Sequence, residues 1–410
     1  MNDIVRVQHD QIRVQHDQIR VQHDQVRVQS EHTLRSGGGV KWGAVPAGVT
    51  PSWVADMDFG IPEVVREAME RVIRDGQLGY PFMPDGDPLA PAFEGRMRDR
   101  YGWAPAPDRV RVFTDLIQVL QVVIEHTTRP GDAVAIHVPT YPPFVATIQR
   151  SGRVLVPLGV EDGPDGWELE SDGLEERLRA AGCRLIVVVN PHNPTGRVLR
   201  RPELERLAEV ARALDIPVLS DEIHADLTYE PHTHIPFASL DDDAANRTIT
   251  ATSATKAFNI AGLRCAVTHI GYEPLRRALT AAPLDYFGQP STLGRVATVA
   301  AWRDGDAWLE NVRAVLADNR ARVAVWASGY PELVHHAPEA TYLSWIGFGQ
   351  TAIADRPVEA VLERGRVLLS NGAEFAAGTS VDTGAFGRIN FATSPARLER
   401  ILEGVHRALS

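Results

Sequence analysis

The stretch Arg184–His224, RLIVVVNPHNPTGRVLRRPELERLAEVARALDIPVLSDEIH, carries the alternation on which the fold turns. Arg184 to Val189 and Ile216 to Leu219 are short apolar runs, the pattern of strands buried on both faces. Between them Pro202, Leu204, Leu207, Val210, Ala211 and Leu214 keep close to helical spacing. The proline stands near the predicted helix start, where its missing N–H takes no hydrogen bond away. The two runs and the helix predict a βαβ unit. Ligands of such sheets sit outside the carboxyl ends of the strands, and the segments NPHNPTG and SDEIH follow these two strands directly.

Outward from this unit the same alternation continues on both sides, which predicts an α/β protein. With 410 residues the chain is long enough for a large lobe and a smaller one. Hydrophobic residues make up 44% and charged residues 23%, an ordinary globular balance. No apolar run approaches the roughly 20 residues of a membrane helix, and no basic segment followed by an apolar one marks export. The expected address is the cytoplasm. A net charge of −11 argues against a nucleic-acid surface, which needs clustered Lys and Arg. Cys183 and Cys265 lack metal or CxxC spacing and read as buried thiols. No metal site is expected.

The amino-terminal segment differs from the rest. From Arg6 the unit RVQHDQ(I/V) occurs three times, followed by the partial copy Arg27-Val28-Gln29. Its apolar positions step by five and two, whereas a coiled-coil seam steps by three and four. A weakly ordered arm over residues 1–36 is therefore expected, ending at the hinge Gly37-Gly38-Gly39. Metal binding by His9, His16 and His23 is the alternative to a solvated arm.

Taken alone, several polar residues keep two readings. Lys256 is a surface lysine or, among the small and apolar residues of SATKAFNIAGLR, a buried nucleophile of lowered pKa. Asp221 follows a predicted strand and is a helix cap or the partner of a buried cation. Asn193 is a turn residue or a ligand donor, and His224 a core histidine or a site residue. Tyr141 in PTYPPF is core packing or a stacking ring. Tyr80 in GYP is a turn tyrosine or a contact to a second subunit, and Arg388 a surface ion-pair partner or a carboxylate clamp.

The motifs NPHNPTG, SDEIH, SATKAFNIAGLR and GRINFA together resemble the fold type I pyridoxal 5′-phosphate (PLP) enzymes, the aminotransferase class I/II superfamily. WVADMDF (Trp53–Phe59), GYP and SDEIH resemble its MalY/PatB-type branch, the cystathionine β-lyases or C–S lyases. The resemblance runs from about Lys41 to the carboxyl terminus. It implies a large PLP-binding domain over 76–295, with a mostly parallel seven-stranded sheet between helices, and a smaller α+β domain from 37–75 and 296–410. It also implies a homodimer with sites at the interface.

The resemblance assigns Lys256 as the lysine that holds the cofactor as a Schiff base, and as the base at Cα. Asp221 keeps the pyridine nitrogen protonated, Asn193 donates to the ring hydroxyl oxygen, His224 is a cofactor-binding residue at the place where many relatives carry tyrosine, and Tyr141 stacks on the ring. Ser253, Arg264 and the backbone N–H groups of Leu116 and Ile117 take the phosphate, with Tyr80 reaching it from the neighbouring subunit. Arg388, Asn193 and Ala55 bind the substrate. Lys256, Tyr141 and Tyr80 form the catalytic set.

Two departures accompany this. Asp115 stands where relatives carry glycine in the phosphate-binding turn, so its carboxylate is expected to turn away and cap the following helix; this leaves a role for Asp115 or Gln118 in substrate choice open. Arg264 stands where members of the lyase branch often lack an arginine. The leading expectation is β-elimination from an S-substituted cysteine such as cystathionine, giving a thiol, pyruvate and ammonia. Transamination or decarboxylation of an amino acid uses the same residues and is the alternative. A regulatory binding protein on this fold is a third reading, opposed by the filled catalytic positions and by a leading segment too short for a helix-turn-helix domain. The side-chain pocket is expected to draw on Trp53–Phe59 and Tyr286–Pro290.

Overall fold

The computed structural model describes residues 26–283 and 286–410. The strands in chain order are β1 (Thr50–Ser52), β2 (Val110–Phe113), β3 (Ala133–His137), β4 (Val154–Leu158), β5 (Val160–Gly163), β6 (Gly166–Leu169), β7 (Cys183–Val189), β8 (Val218–Asp221), β9 (Thr248–Thr252), β10 (Ala266–Ile270), β11 (Val334–His335), β12 (Leu343–Gly347), β13 (Val367–Asn371) and β14 (Phe386–Asn390). A seven-stranded sheet has the order β2-β10-β9-β8-β7-β3-β4, and it is parallel except for β10, which runs antiparallel to both neighbours. A five-stranded sheet, β1-β13-β14-β12-β11, draws its first strand from the front of the chain and the rest from the end. The expected α/β class with a mostly parallel seven-stranded sheet is what the molecule adopts.

The opening stretch explains the layering. In β7, Leu185, Val187 and Val189 pack with Val119, Leu120 and Val123 of the helix Leu116–Thr127, while Ile186 and Val188 pack on the opposite face with Leu204, Leu207 and Ala211 of the helix Arg201–Leu214. Successive side chains of a strand point to opposite faces, so a strand covered by helices on both sides must be apolar throughout. Burying this much aliphatic surface stabilises the layer by about 25 cal/mol per Å².

The second predicted strand is shifted. Ile216–Leu219 was expected, and the ladder runs from Val218 to Asp221. Pro217 has no N–H to give a ladder, so regular pairing starts after it, and Asp221 becomes the last strand residue. Val189, Asp221 and Ala251 lie side by side at the carboxyl edge of β7, β8 and β9.

The heptapeptide copies through residue 25, with His9, His16 and His23, lie outside the described residues. Residues 26–36 correct the expectation of a weakly ordered arm up to 36. Val26 is buried in the same core cluster as Met57 and Phe59, and Val28 makes an antiparallel bridge to Phe59. The Gln29 N–H donates to the Asp58 carbonyl, and the Ser30 hydroxyl caps the helix Glu31–Ser36. The heptapeptide pattern does not predict this because a single valine finds its partner thirty residues on. Cys183 and Cys265 are buried free thiols, as expected.

Candidate active site

The parallel strands β7, β8 and β9 end together, so the loops leaving them converge on one concavity. Asn193 follows β7, Asp221 closes β8, and Ser253 and Lys256 follow β9. The segment Trp53–Asp58 and the ends of β13 and β14 face them.

Lys256 is half-buried, and its Nζ donates to the Ala55 carbonyl at 2.8 Å. Desolvation lowers its pKa, nearby Asp56 opposes that, and Arg388 and Arg264 add to it. Such an environment is not that of a solvated surface lysine. Ala55 also accepts from the Tyr342 hydroxyl at 2.8 Å. Tyr342 has no marker in the sequence, since one buried tyrosine among apolar neighbours reads as core.

Asp221 is buried, and its Oδ1 accepts the Ile223 N–H at 3.1 Å, closing a turn and capping no α-helix. Among the described residues no cation lies within ion-pair distance of it. Burial, joined by the Glu222 charge, pushes its pKa up to about 7 against the Ile223 hydrogen bond and Lys256. Glu222 itself is occupied by Ser220, His234 and the Phe237 N–H. His224 is buried with its Nδ1 unpartnered and its ring edge-on to Tyr342. Burial, then Lys256 and Arg388, pull its pKa down to about 3, so it is neutral.

Arg388 is buried and, among the described residues, pairs with no carboxylate. Its Nη1 donates to Asn193 Oδ1 at 2.8 Å, and its Nη2 donates to the Trp53 carbonyl at 2.8 Å and to Ser370 Oγ at 3.1 Å. Its Nε–H has no partner, and the guanidinium lies over the Phe375 ring. Desolvation lowers its pKa to about 10. Asn390 fixes the facing segment by donating to the carbonyls of Val54 and Asp56. Tyr141 stands at the start of the helix Pro142–Arg150, 41% exposed, touching Phe144 edge-on. An exposed ring face suits a stacking partner better than core packing.

The helix Leu116–Thr127 begins as expected: Asp115 caps it, with Oδ1 accepting the Gln118 N–H at 3.0 Å. The N–H groups of Leu116 and Ile117 are left without intrahelical partners. The expected turning-away of Asp115 is incomplete, because its Oδ2 pairs with Arg264 Nη2 at 2.5 Å. Ser253 Oγ lies 2.6 Å from the Cys265 carbonyl and 2.8 Å from Thr255 Oγ1. Tyr80 stands apart from all of these, fully exposed in the single chain. Gln118 Oε1 accepts from Thr114 in its own turn, while its Nε2 donates to the Phe287 carbonyl.

The set has the donors a phosphorylated pyridine aldehyde needs. There is an amine to bond the aldehyde, an unpaired buried carboxylate for a ring nitrogen, an unpaired buried arginine for a carboxylate, and a helix start for phosphate. His224 Nδ1 and Arg388 Nε, buried without a partner among the described residues, and the Asp221 carboxylate, which meets only the Ile223 N–H there, are polar groups that burial disfavours unless a ligand completes them.

Comparison with known proteins agrees. The family model for aminotransferase class I and II matches residues 55–405. Cystathionine beta-lyase of Corynebacterium glutamicum is 34% identical over 371 residues, covering 90% of this chain and 96% of the relative. A putative PLP-dependent beta-cystathionase from Corynebacterium diphtheriae superposes with a TM-score of 0.86 at 31% identity, over 94% of this chain and 99% of that one. Cystalysin from Treponema denticola, whose crystal structure contains a pyridoxal 5′-phosphate cofactor, gives 0.86 at 27% identity, over 93% and 98%.

Proposed function

Because the chain belongs to the aminotransferase class I and II family, we propose that it is a PLP-dependent C–S β-lyase, cleaving an S-substituted cysteine to a thiol, pyruvate and ammonia. The observation that carries the cofactor is Asp221, a buried carboxylate with a pKa raised to about 7 and no cation beside it among the described residues. Elimination is supported by the cystathionine beta-lyase relatives, which this chain matches over nine-tenths of its length.

PLP, when bound, would supply an electrophilic aldehyde for the substrate amine and an electron-withdrawing ring that weakens the bonds at Cα. Lys256 would hold it, with Asp221 at the ring nitrogen, Asn193 at the ring hydroxyl, His224 among the cofactor-binding residues and Tyr141 against the ring. Ser253, Arg264 and the N–H groups of Leu116 and Ile117 would meet the phosphate. Arg388, braced by Asn193, Trp53 and Ser370, offers its guanidinium to the substrate carboxylate and so sets the orientation of Cα. Lys256, an amine whose pKa burial lowers, would then be placed to take the Cα proton. Loss of that proton expels the thiolate from Cβ, and the remaining fragment hydrolyses to pyruvate and ammonia.

The working form in this reading is a cytoplasmic homodimer. Leu78, Tyr80 and Phe82 are exposed on one segment of the single chain, which supports burial against a second copy, with Tyr80 reaching the partner's site. No helix among the described residues is long and apolar enough to cross a membrane. Incubation of the PLP-loaded protein with cystathionine and a panel of cysteine S-conjugates should release thiol and pyruvate in equal amounts. Absence of both from every conjugate overturns the proposal, and pyridoxamine phosphate accumulating with an amino donor assigns transamination instead.

A further inference from the structure

We propose that Asp115 competes with the cofactor phosphate for Arg264, so that this ion pair sets how tightly the phosphate is held. The inference rests on the PLP reading above and concerns a residue to which that reading gives no part.

The carboxylate is fixed from three sides. Oδ1 accepts the Gln118 N–H at the helix start, and Oδ2 accepts the Thr114 hydroxyl at 2.8 Å and Arg264 Nη2 at 2.5 Å. Turning it away from an incoming phosphate would break the cap of the helix Leu116–Thr127. Its charge therefore stays at the helix start whether or not phosphate is present. That places a negative group beside the Leu116 and Ile117 N–H groups, where a helix otherwise favours an anion.

Arg264 is equally constrained at its base. It ends the short 3-10 turn Ala261–Leu263 with a φ of 51°, in the left-handed region that side chains other than glycine rarely occupy. Its side chain is 61% exposed, and among the described residues its only acidic partner is Asp115. A guanidinium already paired brings no net charge to a phosphate. Either it leaves Asp115 and strands that carboxylate beside the phosphate, or it stays and meets the phosphate as half of a neutral pair. Both courses weaken phosphate retention relative to a site with a free arginine.

Asn and Ser also cap helices, so Asp115→Asn and Asp115→Ser remove the charge and keep the cap. The cofactor-stripped wild type and both variants are titrated with PLP and with pyridoxal, which lacks the phosphate, following the absorbance of the bound ring; their melting temperatures without cofactor show that each is folded. PLP should bind at least about tenfold more tightly to the variants, while pyridoxal binding stays unchanged. Adding Arg264→Gln to Asp115→Asn should abolish the gain. An unchanged or lower PLP-to-pyridoxal affinity ratio in both variants overturns the inference, as does a gain that survives loss of Arg264. A wild type that binds no PLP would instead remove the reading on which the inference rests.

Discussion

Two regions of the molecule each bury an aspartate and an arginine, and they use them in opposite ways. Around Asp58 the charges meet. Its carboxylate accepts from Lys41 at 2.9 Å, the Trp42 indole at 2.8 Å, the Thr393 hydroxyl at 2.6 Å and Arg397 at 3.0 Å, while Arg397 also ties down the Gln29 carbonyl. At the edge of the seven-stranded sheet the charges stay apart. Among the described residues Asp221 has no cation within ion-pair distance, and Arg388 reaches only neutral oxygens. Burial raises both carboxylates, but Lys41 and the hydrogen bonds reverse this at Asp58, whose pKa ends below the usual value, whereas Asp221 ends at about 7. A satisfied buried pair fastens the amino-terminal segment to the segment Trp53–Phe59. An unsatisfied one holds its electrostatic capacity for a ligand.

The contrast is tested first by removing the unpaired groups. Lys256→Ala or Asp221→Ala should lower thiol and pyruvate release by at least about 1,000-fold, without lowering the melting temperature of the cofactor-free protein. A fall in stability matching the fall in rate would erase the distinction. Asp58→Asn should do the reverse. Leaving Lys41 and Arg397 buried with a neutral partner costs about 3 kcal/mol, read by urea denaturation, while the folded fraction keeps most of its turnover.

The two acids also predict opposite pH signatures in the cofactor-free protein. Asp58 has a depressed folded pKa, so its contribution is present above its unfolded value of 3.8 and fades as pH falls through the folded one. Asp221 is raised from 3.8 to about 7, so the folded state holds a proton that the unfolded state lacks, and stability declines as pH rises across that window. Asp221→Asn should therefore gain on the wild type by up to about 1.4 kcal/mol per pH unit between those values, in denaturation series at several pH values. A constant difference between the two proteins would mean that Asp221 is already ionised in the folded state across that range, its pKa not raised by burial. The smallest effect is expected at the arginine. Arg388→Lys keeps the charge but loses the planar fork, and should raise KM for the amino acid about tenfold with a smaller change in kcat.

How far the sequence alone reaches follows from the kind of signal each feature leaves. The runs in β7 and the helix after it are legible because periodicity is local, whereas Tyr141, Asn193, Asp221, Ser253, Lys256 and Arg388 stand out only through the motifs that carry the family resemblance, most of them keeping two readings when taken alone. Pairings across long separations are legible in neither way. Asp115 and Arg264 stand out singly as departures from the family pattern, yet 149 positions separate them, and nothing in either neighbourhood says that the one answers the other. Tyr342 and Asn390 are invisible for the same reason, their importance lying in which carbonyls they meet. Val26 is the converse: a residue in a repeat pattern typical of a solvated arm becomes core because Met57 and Phe59 leave room for it.

The Ala55 carbonyl, accepting from both Lys256 and Tyr342, bears on timing. In the proposed function, a lysine displaced from the cofactor by an arriving amine would have to return to the same carbon before the next round. A fixed oxygen within 2.8 Å gives the freed amine a berth between those events, and Tyr342, anchored to the same oxygen, keeps that berth from drifting. Re-engagement would then be a short swing from a fixed resting place.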